Sequence, residues 1–331
     1  MLQITDGYIS YIRDVRRYSE RTVSIYSDVL KKYVEHVSKG STIFADKDLV
    51  ESLNVSEIRS YEAYLMEGCK MIPRTVSLHL SALSSFCKYL MKEGLMNSNP
   101  VRLVPKPKAE KRLPSFYKKE SMDEYFSRSE HYASSEEMSG FFDSPFSKSG
   151  KDAYEKLLAR LIVSTLYSLG LRRSELIDLK IVNVDFGRKV VKVHGKGDKM
   201  REIPLVLSLC EEILLYLKAV EALCGGERSL KEPLFVTYKG ASLYPSYVDR
   251  VIKGELKGVK GITGRRSPHV LRHSIATELL NEGTDLNSIK ELLGHSSLAA
   301  TQVYTHSSIA RLKDIYKQAH PRAKNGGKHG D

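Results

Sequence analysis

The sequence predicts a mainly α-helical protein with one small antiparallel β-sheet, arranged as two domains. Its 331 residues are enough for about two domains of roughly 150 residues each. Apolar residues recur at helical spacing through the first hundred residues, whereas alternating, strand-like segments around a glycine-rich turn occur only after residue 180. We expect a helical domain over residues 1–104, a basic linker over 105–112 and an α+β domain over 113–331.

The first domain is predicted to be a helical bundle. Beginning at Ser19, the expected N-cap, apolar side chains recur at steps of three and four as far as Gly40, the expected stop. A second helix is expected over Val55–Met66, and a third runs from Pro73 towards Gly94. The last two helices, with a tight polar connection, also resemble a generic helix-turn-helix.

The linker is predicted from prolines and basic residues without apolar periodicity. Pro105 and Pro107 stiffen it, while Lys106 and Lys108 give it a positive surface suited to phosphates. A solvated spacer without a ligand is the alternative.

The second domain is predicted to begin with a surface loop or insertion over residues 127–151, which are rich in Ser, Glu and Gly. A helix is expected over Tyr154–Leu169, broken at Gly170, and later helices are expected to stop at Gly283 and Gly294. The predicted strands of the small sheet are Val182–Phe186, Val190–Val193 and Arg201–Leu205.

Charge and composition narrow the classes of function. Lys and Arg number 52 against 40 Asp and Glu, a net charge of +12 that favours a polyanionic partner, above all nucleic acid. The absence of a long apolar run and of a signal-peptide pattern at the start predicts a cytoplasmic protein with no membrane partner. The 4 cysteines form no C-x-x-C pair, and no carboxylate pair or P-loop stands out. We therefore expect no metal and no cofactor.

Four short motifs follow one another in the second domain. They are Gly170-Leu171-Arg172-Arg173-Ser174-Glu175-Leu176, Gly195-Lys196-Gly197, His269-Val270-Leu271-Arg272-His273, and Leu293-Gly294-His295 with Tyr304 nine residues later. This set resembles the tyrosine site-specific recombinases, also called the lambda-integrase family. The helical first domain, the basic linker and the stretch Gln318–Ala323 are similar to the Xer branch of that family.

The resemblance implies a SAM-like core-binding domain followed by an α+β tyrosine recombinase catalytic domain. It also assigns roles to individual residues. Arg172 and Arg272 would be the catalytic arginines, His269 and His295 the two histidines, Lys196 the general acid, Tyr304 the nucleophile, and Glu175 a residue that orients Arg172 or a neighbouring histidine. Arg173 competes with Arg172, and Lys199 competes with Lys196.

These residue types suit the breaking of a phosphodiester. Negative charge gathers on the non-bridging oxygens as the phosphorus becomes five-coordinate, and the planar fork of arginine can donate two hydrogen bonds to it. A phenol with a pKa of about 10 needs neighbouring cations or a base to attack, and the departing 5′ oxygen needs a proton. Exchanging a phosphodiester for a phosphotyrosine is nearly isoenergetic, which accounts for a set of residues without a cofactor.

The expected partner is double-stranded DNA, held in a clamp formed by the two domains. Because a helix N-terminus favours phosphate, Arg74, Thr75, Ser77 and His79 at the start of the third helix are candidate contacts, together with Lys106 and Lys108. The resemblance implies four protomers on two duplexes, either identical or paired with a related recombinase, and leaves room for a DNA translocase as activator. A terminal helix over Ser307–Gln318 would pack on a neighbouring protomer or on its own domain.

Several functions remain open at this point. Resolution of chromosome or plasmid dimers by a nucleoid-associated enzyme is favoured, with an integrase or invertase of a mobile element as the nearest alternative. A strand-swivelling topoisomerase shares the chemistry. A non-catalytic helix-turn-helix regulator would explain the charge but not the ordered motifs.

Overall fold

The computed structural model describes residues 2–39, 44–108, 115–195 and 200–294. The chain divides into two compact units, Met1–Arg112 and Leu113–Asp331. The described residues are mainly helical with one three-stranded antiparallel sheet, which confirms the predicted fold class. No helix among them is long and apolar enough to cross a membrane.

The first unit is a helical bundle. Its α-helices are α1 (Gln3–Ser10), α2 (Glu20–Ser38), α3 (Asp46–Ser52), α4 (Val55–Ala63) and α5 (Pro73–Lys92). Helices α1 and α4 each continue into one π-helical turn, Tyr11–Val15 and Tyr64–Gly68, and a 3₁₀ turn covers Pro100–Leu103. The three helices predicted from apolar spacing, α2, α4 and α5, are confirmed, whereas α1 and α3 were not anticipated.

Aromatic side chains form the centre of this bundle. Tyr33 of α2 and Tyr61 of α4 are fully buried, and their rings meet edge to face with centroids 5.0 Å apart. Phe86 of α5 makes a similar contact with Tyr8 of α1 at 5.2 Å. The predicted N-cap is also present, since the Ser19 hydroxyl accepts a hydrogen bond from the Thr22 N–H at 3.4 Å.

The second unit contains eight described α-helices and the small sheet. They are α6 (Lys119–Arg128), α7 (Ser135–Asp143), α8 (Lys148–Leu169), α9 (Arg173–Ile177), α10 (Leu207–Cys224), α11 (Pro245–Glu255), α12 (Pro268–Asn281) and α13 (Leu286–Leu293). Short 3₁₀ turns cover Glu130–Ala133 and Ile181–Asn183. The strands β1 (Val184–Asp185), β2 (Val190–His194) and β3 (Met200–Pro204) pair in chain order, with His194 opposite Met200.

The predicted loop over residues 127–151 is wrong, because the structure has helix through most of this stretch. It contains the end of α6, a 3₁₀ turn, α7 and the start of α8. Met138 and Phe141 of α7 are fully buried in the core of the unit, and the Phe141 ring lies 5.9 Å from that of Tyr154. These two buried apolar side chains fix a helix whose remaining residues, apart from Phe142, are polar or glycine.

Helix α8 is the central element of the second unit. Every residue from Leu157 to Leu169 is buried, and α7, α10, α11 and α12 all pack against it. The helix ends at Gly170, which has a φ of +56°, where a Cβ atom would lie 2.8 Å from a Leu293 methyl carbon. Only glycine fits this conformation and this space, and the turn carries the chain directly into α9.

A buried ion pair holds α8 to α10. The Nε and Nη2 atoms of Arg160 donate to Oε1 of Glu212 at 3.2 and 2.9 Å, and the Ser164 hydroxyl donates to Oε2 at 2.7 Å. Nη1 of Arg160 also donates to the Phe126 carbonyl at 2.9 Å. Charges buried in this way are tolerated only because nearly every donor finds an acceptor.

Removing one member of this pair is expected to destabilise the protein strongly. Glu212→Ala leaves the buried Arg160 guanidinium without its counter-charge, and we expect a loss of about 3–5 kcal/mol in the free energy of unfolding, measured by urea denaturation. The control is Glu155→Ala, which breaks the exposed pair with Lys151 (N–O distance 3.9 Å). It should change the same free energy by less than about 1 kcal/mol. Equal losses in the two variants would contradict the argument.

Candidate active site

The turn after α8 places Arg172 at the N-cap of α9 and fixes it to Glu175. Oε2 of Glu175 accepts the backbone N–H of Arg172 at 2.8 Å, and Oε1 accepts from Nη1 of the same residue at 2.6 Å. A carboxylate in the first turn of a helix also suits the positive end of the helix dipole. The structure therefore brings Glu175 onto Arg172, one of the two partners that the sequence proposed for it.

The neighbouring arginine points elsewhere. Arg173 is paired with Asp249 of α11, and about a third of each of these two side chains is exposed. Arg172, the extended N-cap residue, and Arg173, the first residue of α9, therefore serve different contacts.

Arg272 of α12 lies on the other side of this carboxylate. Its side chain is buried, its Nη1 donates to the Gly170 carbonyl at 2.5 Å, and its Nη2 donates to the Leu293 carbonyl. The same Nη1 lies 3.9 Å from Oε2 of Glu175. His269, in the first turn of the same helix, is exposed.

A third arginine, which lies outside the four sequence motifs, completes the group. Arg201 of β3 is 4% exposed and donates from Nη1 and Nη2 to the two oxygens of Glu175, at 3.0 and 2.8 Å. The alternation of a strand offered a signal, because Arg201 shares its face with the buried Ile203, whereas Met200 on the other face is exposed. A charged residue at an inward position needs a buried partner.

The C-terminal turn of α13 is held by the same three arginines. The carbonyls of Leu292, Leu293 and Gly294 accept hydrogen bonds from Arg201, Arg272 and Arg172 respectively. A helix C-terminus carries partial negative charge and unpaired carbonyls, so it attracts cations. Gly294, with a φ of +63°, ends the helix as predicted.

The electrostatics of this group follow from one carboxylate and three guanidiniums. Burial raises the pKa of Glu175, but the hydrogen bonds and charge of Arg201, followed by hydrogen bonds from Arg172, outweigh it and lower that pKa to about 2. Burial, and then the charge of Arg172, lower the pKa of Arg272 to about 10, which still leaves it protonated at neutral pH. The group is therefore positively charged overall.

This arrangement can bind an oxyanion. A guanidinium has five N–H donors, and on both Arg172 and Arg272 two of them have acceptors among the described residues. Arg172 is the more accessible, with 33% of its side chain exposed. Within the described ranges, no cluster of His, Cys, Asp and Glu is suited to hold a metal ion.

Three of the sequence-predicted site residues, Lys196, His295 and Tyr304, lie outside the described residues. The described residues stop at Gly195 and resume at Met200, and they end at Gly294. Lys196 falls in the segment that joins β2 to β3, and His295 directly follows the turn that the arginines hold.

The candidate DNA contacts of the first unit are divided by the structure. Arg74 is exposed, and Thr75 and Ser77 are half-buried, at the start of α5. The proposed contact at His79 is contradicted, because this side chain is 7% exposed and its Nδ1 lies 2.9 Å from the Tyr61 hydroxyl. Burial also lowers the pKa of His79, which disfavours the charged form that would attract phosphate. It lies on the inner face of the helix whose other face carries Ser77.

The linker lysines remain on the surface. Lys106 is exposed, and its Nζ donates to the Ser81 hydroxyl at 3.1 Å, one turn beyond Ser77 on α5. Lys108 is exposed as well. Lys106 therefore adds a charge to the same face of α5 as Ser77 and Ser81.

Comparison with known proteins agrees with this geometry. The sequence profile of the phage integrase family matches residues 146–311, and that of the phage integrase N-terminal SAM-like domain matches residues 5–94. The tyrosine recombinase XerC of Chlorobaculum parvum is 33% identical over 325 residues, covering 96% of this chain and 94% of that protein. The chain belongs to the phage integrase family. The predicted resemblance to tyrosine recombinases is confirmed.

Other members of the family match over nearly their whole length. XerC of Bacillus subtilis is 32% identical with coverage of 96% of this chain and 95% of that protein, and XerD of Listeria innocua is 30% identical with 98% and 100%. The fold is shared with XerH bound to its difH substrate (TM-score 0.64, 21% identity, 91% of this chain and 81% of that chain). It is also shared with a lambda integrase dimer bound to a core site (TM-score 0.59, 16% identity, 99% and 96%).

The lowered pKa of Glu175 predicts a pH-dependent contribution to stability. Its folded pKa of about 2 lies below the ordinary value of 4.5, so ionised Glu175 stabilises the protein above pH ~4.5 and this contribution is lost as the pH falls towards 2. The Glu175→Gln variant lacks this contribution to stability at every pH. We expect the difference in unfolding free energy between wild type and variant to shrink by about 3 kcal/mol from pH 6 to pH 2, measured by urea denaturation.

The control for this titration is Glu155→Gln, at an exposed carboxylate. Its difference from wild type should hardly change over the same pH range. A pH-independent difference for Glu175→Gln would contradict the lowering of the Glu175 pKa by Arg201 and Arg172.

Proposed function

We propose that this protein is a Xer-type site-specific recombinase that cleaves and rejoins DNA strands through a 3′-phosphotyrosyl intermediate and a Holliday junction. The observation that carries the proposal is the positive group around Glu175. Two arginines from distant parts of the chain, Arg172 and Arg272, meet there with donors to spare. The match to XerC and XerD relatives over at least 94% of their length supports the Xer type.

In the proposed reaction the Tyr304 oxygen attacks the scissile phosphorus, and the bond from phosphorus to the 5′ oxygen breaks. Arg172 and Arg272 donate to the non-bridging oxygens, where charge develops. His269 and His295 hydrogen-bond the phosphate or move a proton, and Lys196 protonates the departing 5′ oxygen. That 5′ hydroxyl then attacks the phosphotyrosine of the partner strand. The scheme needs no metal or nucleotide, because the energy of the phosphodiester is kept in the tyrosyl link.

The exposed side of α5 is the proposed DNA-binding surface of the first unit. Arg74 is exposed at the helix N-terminus, Thr75 and Ser77 follow, and Lys106 returns to the same face through Ser81. Lysine and arginine at these positions supply phosphate contacts that position the protein without reading sequence. Lys108 extends the positive surface along the linker.

The proposed assembly is four protomers on two duplexes, made of this chain alone or of this chain with a related recombinase. The lambda integrase structure with which the fold is shared is a DNA-bound dimer. The proposed biological role is the resolution of chromosome or plasmid dimers, in the cytoplasm at the nucleoid, with a DNA translocase as a candidate activator. Integration or inversion of a mobile element is the alternative role. The DNA sites recovered by sequencing fragments bound to the purified protein would separate the two.

Tyr304→Phe should abolish the covalent step while leaving DNA binding intact, because it removes only the attacking oxygen. The measurement is the yield of covalent complex on a nicked suicide substrate that carries the recovered site. The matched control is Tyr132→Phe, whose ring lies beside Lys156, with 5.2 Å from the ring centre to Nζ. It should react like wild type. A normal yield with Tyr304→Phe would falsify the assignment of the nucleophile.

Arg74→Gln should weaken DNA binding through the loss of a phosphate contact. We expect weaker binding to all sequences alike and a decrease of about 1 in the slope of log affinity against log salt concentration. Fluorescence anisotropy over a salt series gives this slope. Lys47→Gln on α3, where Lys47 already pairs with Glu51 at 3.7 Å, is the control and should keep the wild-type slope. Identical slopes for wild type and Arg74→Gln would remove α5 from the proposed surface.

A further inference from the structure

Arg201 is a buried arginine at the centre of the site for which the proposed reaction has no direct use. It is 4% exposed, and its donors are directed at Glu175 and at the Leu292 carbonyl. Resting on the proposed function, we infer that Arg201 is a positioning residue. It holds Glu175 and the last turn of α13 so that the Arg172 guanidinium stays available to the scissile phosphate.

Arg172 and Arg201 compete for the carboxylate oxygens of Glu175. A carboxylate frequently accepts a bidentate pair of hydrogen bonds from one arginine, which adds both energy and geometric specificity. Arg201 occupies that geometry, with one bond to each oxygen, and Arg172 is left with a single guanidinium bond at 2.6 Å to Oε1. Without Arg201, both oxygens would face Arg172, and the carboxylate would draw this side chain into a closed pair and away from DNA.

Arg172 has a second acceptor that also depends on Arg201. Its Nη2 donates to the Gly294 carbonyl at 3.0 Å, in the turn that Arg201 supports. Nε of Arg201 donates to the Leu292 carbonyl at 2.9 Å, and a Cβ atom on Gly294 would lie only 3.0 Å from Nη1 of Arg201. The turn is thus packed directly on the Arg201 guanidinium. Both acceptors that fix Arg172 therefore depend on Arg201.

The competing explanation is a purely structural ion pair. Arg160 and Glu212 form such a pair, equally buried, with side chains 5% and 7% exposed. The hydrogen bonds of Arg160 go to Glu212, Phe126 and Ser129, none of which belongs to the site. Arg160→Met is therefore a matched control for Arg201→Met, since both variants leave a buried carboxylate without its main partner.

The experiment compares three nicked suicide substrates under single-turnover conditions. One has an ordinary scissile phosphate, one a methylphosphonate, and one a sulfur in place of the bridging 5′ oxygen. The methyl group removes the non-bridging negative charge that Arg172 would stabilise, and the sulfur removes the need for a proton on the leaving group. The rate of covalent-complex formation is measured for wild type and variants on each substrate.

We expect Arg201→Met to slow cleavage of the ordinary substrate by about 10²–10³-fold, the usual cost of losing one donor to a developing charge. The same loss is expected on the sulfur substrate. On the methylphosphonate, the cleavage rate of the variant should lie within about 10-fold of the wild-type rate. The ratio of the Arg160→Met rate to the wild-type rate should be similar on all three substrates.

A second variant tests the same idea by rescue. In Arg201→Met, the added change Glu175→Gln removes the charge that draws Arg172 away, and the double variant should cleave faster than Arg201→Met alone. Arg201→Lys, which keeps the charge but not the bidentate geometry, should show the same substrate selectivity with a smaller loss.

Three results would overturn the inference. The first is an equal loss of rate for Arg201→Met on all three substrates. The second is recovery of the rate on the sulfur substrate, which would place Arg201 in the proton-transfer step of Lys196. The third is a double variant that cleaves no faster than Arg201→Met. A wild-type protein that forms no covalent complex on any substrate would instead overturn the proposed function and this inference with it.

Discussion

The attraction between one buried carboxylate and three guanidinium groups organises the second unit. Glu175 accepts hydrogen bonds from the Arg172 backbone, from the Arg172 side chain and from both Nη atoms of Arg201. These four bonds use the lone pairs that a carboxylate can offer. Arg272 approaches the same group at 3.9 Å without a hydrogen bond to it. Since arginine does not lose its proton at neutral pH, the excess positive charge persists and must be met by other acceptors.

The fold supplies those acceptors from main-chain carbonyls. The turn at Gly170 and the end of α13 each expose oxygens towards the arginines, and these elements come from positions more than a hundred residues apart. Helix α8 supports this arrangement, because its C-terminal half is buried and α12 packs against it. A phosphate offers the arginines the same kind of acceptor as these carbonyls, namely oxygen lone pairs directed at a guanidinium fork.

Much of this could be predicted from sequence, and the exceptions have physical causes. Helices such as α2 and α5 carry a clear apolar stripe, and glycines 170, 283 and 294 mark helix ends at positive φ, so local pattern was sufficient there. Helix α7 was missed because two buried side chains, Met138 and Phe141, hold it against the core while its composition resembles a loop. The DNA contact proposed at His79 failed for a related reason, since position along a helix does not reveal which face is buried.

Arg201 illustrates a different limit. The motifs found Arg172 and Arg272 because their neighbours in sequence are distinctive, whereas Arg201 is recognised by what lies across from it in space. The alternation of β3 places Arg201 on the same face as the buried Ile203, but only the tertiary structure shows that its partner is Glu175. Residues that support a site through another side chain are in general harder to read from sequence than residues that touch the substrate.

The shared carboxylate also constrains how this site can change over evolutionary time. Because Arg172 and Arg201 contact the same two oxygens, a substitution at Glu175 alters the effect of any later substitution at either arginine. The order in which such substitutions arise then decides whether an intermediate protein is functional. Lineages that replace Arg201 are expected to have altered Glu175 or Gly294 as well, so these positions should vary together rather than singly, and directed evolution of new target specificity will succeed more readily at surfaces outside this group.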